Sequence, residues 1–296
     1  MLKLIFTNSR GRTIELYSAP FRLSKVEGLG DVGAEIQTQR APYQDGSTFI
    51  DALLEERPIS IELTIRCKDE LDLSARKREI SAAFNPKAGL GLLKCIDKSG
   101  TKEIHAVAEG VPFFPDGLSN RGRTFQKVLI HLRAPNPYWL SSQKVEQLVT
   151  FSGGLTFPLR LPTIFGNQDS SAKSRIVLNE GDAPTPIEVT FEGPATSPIR
   201  IENETTGEFI EVNQSLLAGE KLWISTAFGK KRVEKVSVDG TRTNAFHYIY
   251  IDPTGANLSS TFFQLQPGNN LLTYDTGEEY EKAPVTIRFQ PRYLAV

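Results

Sequence analysis

Apolar and polar residues alternate with period two along most of the chain. In ISIELTIRC, Ile59, Ile61, Leu63, Ile65 and Cys67 share one face, and Ser60, Glu62, Thr64 and Arg66 take the other. That pattern predicts a half-buried strand. KVLIHL groups Val128, Ile130 and Leu132, IEVTFEG groups Ile187, Val189 and Phe191, and VTIRF groups Val285, Ile287 and Phe289. FRLSKV reads as a further strand. Turn residues then join runs into hairpins: LKLIF and RTIELY around Asn8-Ser9-Arg10-Gly11, LLKCI and KEIHAVA around Asp97-Lys98-Ser99-Gly100, and PIRIEN and EFIEV around Thr205-Thr206-Gly207. KVSV runs into Asp239-Gly240 in the same way.

One segment breaks the period. DELDLSARKREISAAFNP, residues 69–85 with the following proline, opens on Asp69, Glu70 and Asp72 and places Arg76, Lys77 and Arg78 later. Acids at the start and bases further on suit a helix dipole, and Asn85-Pro86 supplies a stop. Leu73, Ile80, Ala83 and Phe84 make an apolar stripe that predicts packing on a sheet. The strand KVLIHL ends in Ala134-Pro135-Asn136-Pro137, which marks a boundary between residues 1–136 and 137–296. NQDSSAKS (Asn167 to Ser174) and NEGDAPTP (Asn179 to Pro186) read as loops. The expected fold is mainly β: a first domain of strands with one flanking helix, then an all-β sandwich.

Composition narrows the function classes. With 34 basic and 35 acidic residues the net charge is -1, which creates no global field for nucleic acid or an acidic membrane. Cys67 and Cys95 lack C-x-x-C spacing and each falls in a strand-like run, so two buried reduced thiols are expected. MLKLIF is too short for a signal peptide and no run reaches transmembrane length, so no membrane insertion is expected. Without a secretory route, the sequons at Asn203, Asn213 and Asn257 carry little meaning.

Candidate chemistry is sparse. GLGDVG (Gly28, Gly30, Gly33) fits the dinucleotide fingerprint by letter, and Asp51 sits roughly where a ribose-binding acid would. The fingerprint needs a helix after its glycines to hold the pyrophosphate, yet AEIQTQRAPYQDG reaches Pro42 and Gly46 too soon. A glycine-rich bend between strands is the expectation. His105, His131 and His247 show no metal-ligand spacing, and His131 reads as a surface strand histidine. No G-x-S-x-G elbow exists, Gly229-Lys230-Lys231 lacks the rest of a phosphate loop, and Glu55-Glu56 reads as a solvated turn. No catalytic, cofactor-binding or metal residue is assigned, and an enzyme is not expected. Trp223, Phe228, Phe246, Tyr248, Tyr250, Phe262 and Phe263 cluster late. Core burial is the ordinary use of such a set, with HYIYI alternating as a strand. The other reading is a carbohydrate-binding module that grips host wall polysaccharide through Trp223 or the Tyr248/Tyr250 pair.

EIQTQRAPYQDGSTFIDALLEERP, Glu35 to Pro58, fits neither core nor ordinary loop. It is polar and broken by Pro42 and Gly46, yet holds Ile36, Tyr43, Phe49, Ile50, Leu53 and Leu54. So many apolar groups in a long structureless loop predict a segment ordered by a partner. An arm at about 28–58 would bury them on a neighbouring subunit, with Gly28 to Gly33 as its hinge.

EGLGDVGAEIQTQRAPYQDGSTFIDALLEERPISIELTI resembles the N-terminal signature of the distal tail protein family of long-tailed, non-contractile bacteriophages and related prophages. The likeness continues through the helix, through RAPNPYW (Arg133 to Trp139), and to LQPGNNLLTYD and VTIRFQPRYLAV. Its most distinctive part is Gln37, Gln39 and Ala41-Pro42-Tyr43-Gln44-Asp45-Gly46. The resemblance implies a tail-tube-like β-sandwich with a flanking helix, then a galectin-like sandwich. It also implies a homohexameric ring at the distal end of the tail tube, belted by hairpin arms, with a channel for DNA. Some relatives stack rings, so six and twelve copies both stay open. The implied partners are the major tail tube protein above and the tail-tip hub or tail-associated lysin below. Members that carry receptor-binding proteins often have a large insertion in the second domain, and none is obvious after Trp139. The implied location is the virion tail tip, after assembly in the bacterial host cytoplasm. A near-neutral charge suits DNA passage, since a basic channel would retain phosphates.

Overall fold

The structure, a computed structural model, describes residues 2–148, 151–152, 167–168, 174–255, 258–276 and 284–296. Most of the loop read at Asn167 to Ser174, and the sequon at Asn257, lie outside the described residues. The chain is mainly β and divides into two compact units, Met1–Ser142 with Tyr293–Val296, and Gln143–Arg292. The division falls beyond the Pro135/Pro137 pair because Trp139 is fully buried in the first core. A large apolar side chain commits the residues after the prolines to that unit.

In the first unit the strands are β1 (Lys3–Thr7), β2 (Thr13–Glu15), β3 (Phe21–Glu27), β4 (Ala34–Gln39), β5 (Thr48–Leu54) and β6 (Arg57–Arg66). Helix α1 (Glu70–Ala83) follows, then β7 (Gly91–Asp97), β8 (Gly100–Ala108), β9 (Phe125–Ala134) and β10 (Trp139–Leu140). The sheet runs in the order β2-β1-β7-β8-β9-β6-β3, and among the described residues β4 pairs only with β5. Strand β6 pairs along its whole length with β9, from Arg57↔Ala134 to Arg66↔Phe125. Its period-two face puts Ile59, Ile61, Leu63 and Ile65 into the core with Val128, Ile130 and Leu132 of β9.

Cys67 departs from the expected pattern. It follows the last residue of β6 and is only half-buried, while Cys95 in β7 is buried. The strand stops at Arg66 because the chain turns there toward the helix.

Among the described residues α1 is the single α-helix. Asp69 caps it, with Oδ1 accepting from the Asp72 amide at 2.7 Å, so one of the otherwise orphaned first-turn donors is satisfied. Leu73, Ile80, Ala83 and Phe84 face the core, and Phe84 stacks on Phe6 of β1 with centroids 4.4 Å apart. Asn8, read as a turn residue, is also buried and donates through Nδ2 to the Ala83 carbonyl at the helix end.

The second unit is a sandwich. Its strands are β11 (Lys144–Leu148), β12 (Phe151–Ser152), β13 (Asn167–Gln168), β14 (Ser174–Asn179), β15 (Thr185–Glu192), β16 (Ile199–Asn203) and β17 (Glu208–Val212). They continue with β18 (Lys221–Ser225), β19 (Arg232–Val236), β20 (Arg242–Asn244), β21 (Gln264–Leu265), β22 (Gly268–Asp275) and β23 (Val285–Phe289). One sheet has the order β11-β23-β15-β18-β19-β20, and the other β14-β22-β16-β17. Ile187, Val189, Phe191, Ile224 and Ile287 of the first meet Val177, Ile201, Ile210 and Leu272 of the second in one core.

The aromatic cluster does not form that core. Phe263 is buried, but Phe228 is 88% exposed, Phe246 and Tyr248 are exposed, and Trp223, Tyr250 and Phe262 are half-buried. HYIYI is not a strand either, since Phe246–Tyr248 forms a short 3-10 turn. The aliphatic faces of the strands already fill most of the space between the sheets, so of these rings only Phe263 is buried there, with Phe262 packed partly against it.

Candidate functional site

The Glu35 to Pro58 segment carries its own structure. Strands β4 and β5 pair from Ala34↔Leu54 to Gln39↔Thr48, with a shift after Gln37 that leaves Ile50 unpaired. Opposed residues share a face, so Ile36 and Ala52, Ala34 and Leu54, and Thr38 and Phe49 lie together. The bulge at Ile50 keeps Phe49 on that face. Glu35, Gln37, Asp51 and Leu53 take the opposite face. Ile36 is 55%, Phe49 63% and Ile50 57% exposed. An isolated two-stranded hairpin is marginal in water, and covering each half-exposed side chain contributes on the order of 1 kcal/mol.

Gln44 organises the tip. Its amide donates to the Ala41 carbonyl at 3.2 Å, closing a turn with Pro42 and Tyr43 in the middle. Its side chain accepts from the Ala41 amide at 3.0 Å and donates to Thr48 Oγ1 at 3.2 Å, while its carbonyl accepts from Arg40 Nε at 2.9 Å. Proline suits the first central position of such a turn, and the second needs a positive φ. Tyr43 occupies it at φ 62, which costs a non-glycine residue about 1 kcal/mol. Its side chain is fully exposed. Gly46, at φ 74, leads the chain back into β5.

The root is where Arg57 acts. Its side chain is fully buried, and among the described residues its hydrogen-bond partners are four backbone carbonyls. Nη1 donates to Gly28 O at 3.1 Å and to Asp31 O at 3.2 Å, Nε donates to Pro137 O at 2.8 Å, and Nη2 donates to Leu294 O at 2.6 Å. Burial pushes the guanidinium below its ordinary pKa, and Asp31 acts in the opposite direction. Around it, Trp139 Nε1 donates to Leu29 O, Asp31 Oδ1 accepts from the Gly28 amide, and Gly33 O accepts from the Glu55 amide. Gly28 has φ 86, and a Cβ there would stand 2.0 Å from Pro58 O. Gly30 and Gly33 have ordinary φ. The turn is therefore pinned at Gly28 by backbone packing and a guanidinium clamp.

Sequence reading placed Gly28, Gly30, Gly33, Gln37, Gln39, Pro42, Tyr43, Gln44, Asp45 and Gly46 in the arm, and all lie in this hairpin or its root. Arg57 was missed. Its signal is parity: it lies two residues before Ile59, on the inward face of β6.

The second group is not brought together. Trp223 sits in β18 between β15 and β19, with the Arg242 guanidinium 5.3 Å from its ring. Tyr248 and Tyr250 lie along β17 of the other sheet, where Asn213 N donates to Tyr248 O and Tyr250 N to Glu211 O. His131 is an exposed strand residue sharing a 2.8 Å hydrogen bond with Ser60 Oγ. Among the described residues no group of three or more His, Cys, Asp or Glu is placed to hold a metal.

Comparison with known proteins gives two family models in tandem. Residues 9–146 match the phage tail protein RIFT-related domain, and residues 180–293 match the siphovirus-type tail component, C-terminal domain. Among solved structures, the SPP1 Dit protein is 15% identical, with a TM-score of 0.66 over 98% of each chain. Its structure is described as a paradigm of the hub adsorption apparatus in phages infecting Gram-positive hosts. A chain of the phage P2 baseplate, in its activated conformation with Ca, is 8% identical with a TM-score of 0.51 over 100% of each chain. At these identities the likeness concerns the fold. A stretch of 59 residues, 19% of this chain, is 39% identical to the crossover junction endodeoxyribonuclease Hjc of Archaeoglobus fulgidus. It spans 43% of that protein's length and carries no activity over.

Proposed function

We propose that this chain, which belongs to the siphovirus-type distal tail protein family, forms the hexameric ring that ends the tail tube. The chain is a structural component of the phage tail's distal, host-adsorbing end; the ring, its channel and its neighbours are the finer reading. In that reading the arm of each copy packs on the next, DNA passes through the centre without specific binding, and the major tail tube protein and the tail-tip hub dock on opposite faces.

One observation carries the proposal: a hairpin with a pinned root keeps Ile36 and Phe49 of its apolar face exposed among the described residues. A heterologous contact repeated by rotation closes into a ring, and such assembly needs complementary surfaces but no reacting groups. Light scattering after gel filtration, with negative-stain imaging, tests it. Rings are expected from the full chain and not from a chain lacking Gln37 to Ser47. A strict monomer at tens of micromolar, with no ring on isolated tail tubes, would refute the proposal.

A further inference from the structure

Alternation in β18 sends Leu222 and Ile224 into the sandwich core and leaves Trp223 half-buried on the outer face of its sheet. The register sets one residue of each neighbouring strand beside it: Thr190 of β15, then Thr286 of β23, and on the other side Glu234 of β19, then Asn244 of β20. Opposed residues share a face, so these side chains form one row turned away from the core. Adjacent strands lie about 4.8 Å apart, so the row spans about 19 Å, longer than one sugar ring. We propose that this row binds a neutral polysaccharide, with a sugar ring stacked on the Trp223 indole and its hydroxyls bonded by Thr190, Glu234 and Asn244. The site gives the second unit a ligand of its own and does not depend on ring assembly.

The state of the polar groups selects the ligand. Charges along and beside the row are already answered: Glu234 holds Arg242 at 3.0 Å and Arg232 at 3.5 Å, and Glu192 holds Lys221 at 2.6 Å. The uncharged groups are not. Among the described residues no hydrogen bond engages the Trp223 indole N–H, the Thr190 and Thr286 hydroxyls or the Asn244 side-chain nitrogen. A charged polymer meets ions that already have partners, whereas a hydroxyl-rich neutral one meets open donors and acceptors.

The indole supplies the other half of the match. Its apolar surface suits the C–H face of a sugar ring, and its N–H reaches toward hydroxyls at the edge. The Arg242 guanidinium stands 5.3 Å from the indole and is itself held by Glu234, which sets the ring's orientation before a ligand arrives. Tyr248 and Tyr250 lie beside β17 of the other sheet and share no row with Trp223. A protein partner fits less well, because interface cores are rich in apolar groups and Trp223 is the single large apolar side chain in its row.

Biolayer interferometry of the full-length chain tests the site. The immobilised probes are tetrasaccharides of glucose, galactose, rhamnose and N-acetylglucosamine, neutral polysaccharide isolated from Gram-positive cell walls, and polyglycerol phosphate. Saturable binding to at least one neutral probe is expected, weakened roughly tenfold by Trp223→Ala through loss of the stacking surface. Thr190→Val, nearly isosteric and lacking only the hydroxyl, should weaken it roughly fivefold and keeps the test open if Trp223→Ala does not fold. Absence of binding to every neutral probe would overturn the proposal. So would unchanged affinity in Thr190→Val, or tighter binding to polyglycerol phosphate than to any neutral probe.

Discussion

The Arg57 guanidinium, at the first residue of the strand after the arm, donates to the carbonyl of Gly28, at the first residue after the strand before it. One side chain thus ties together the two ends of a segment that otherwise stands free of its unit. Through Leu294 O and Pro137 O it also holds the returning C-terminal residues and the start of β10's approach. The arm is exposed, but the two residues that clamp its root, Gly28 and Arg57, are buried.

Arg57→Lys is expected to destabilise the first unit by about 2–4 kcal/mol, because one ammonium cannot serve four carbonyls in the guanidinium's fork. Hydrogen exchange should show lost protection at the Glu55 amide and through residues 28–35, with the Ile59–Ile65 amides less affected. Wild-type protection at the root would show that the clamp is dispensable.

Gly28→Ala and Gly30→Ala should differ sharply. At Gly28 the positive φ costs about 1 kcal/mol and the new Cβ meets a backbone oxygen, so the total loss should reach about 2–3 kcal/mol. At Gly30 the nearest atom to a Cβ is Ala295 Cβ at 3.7 Å, an ordinary contact. Chemical denaturation of the two variants measures the contrast.

The two faces of the arm give a matched pair. Ile36→Asp and Leu53→Asp make the same chemical change on opposite sides of the hairpin. Ile36→Asp should weaken ring assembly by roughly tenfold or more in concentration, as a carboxylate would be buried unpaired. Leu53→Asp should change it by much less, which sedimentation velocity across a dilution series would reveal.

Tyr43→Asn separates local strain from assembly. Asparagine tolerates a left-handed backbone, so the isolated tip should become more stable by a few tenths to about 1 kcal/mol. If the exposed ring contacts a neighbour, assembly should weaken at the same time. Amide exchange at Gln44 reports the first effect and light scattering the second.

Burial pushes the Cys95 thiol up to about 11 from an ordinary 9.0, and Asp97 adds to the shift. Burial also raises Cys67, which is only half-covered. At pH 8 a disulfide reagent should therefore label Cys67 slowly and Cys95 only on unfolding. The sign for stability follows from proton linkage: the native state holds the Cys95 proton more tightly. That contribution is complete below pH 9 and is lost as pH rises toward 11. Labelling of native Cys95 at the rate of Cys67 would contradict this.

Much of this organisation was legible in residue order. The inward faces of β6, β9, β15 and β23, the hairpin turns, and the helix with its acidic start follow from periodicity, dipole and turn chemistry, which act over a few residues. The exit from GLGDVG into an arm, and not into a phosphate-binding helix, also followed from the proline and glycine after it. The hairpin inside the arm was implied by the family resemblance but not legible in periodicity, because β4 and β5 lack clean alternation and one residue is bulged. The aromatics misled because ring burial depends on how much room the aliphatic faces leave between two sheets.

The sequence by itself determined where the alternating strands, their tight turns and the helix form, since each depends on neighbours that the chain places at fixed short spacing. Only the tertiary structure decided what Arg57 does, where the first unit ends, and which residues share each face of the arm. Arg57 meets Leu294 across 237 positions of chain, and Trp139 meets Leu29 across 110. No local pattern encodes such contacts. They exist because folding removes water from a charged side chain and leaves distant carbonyls as its partners.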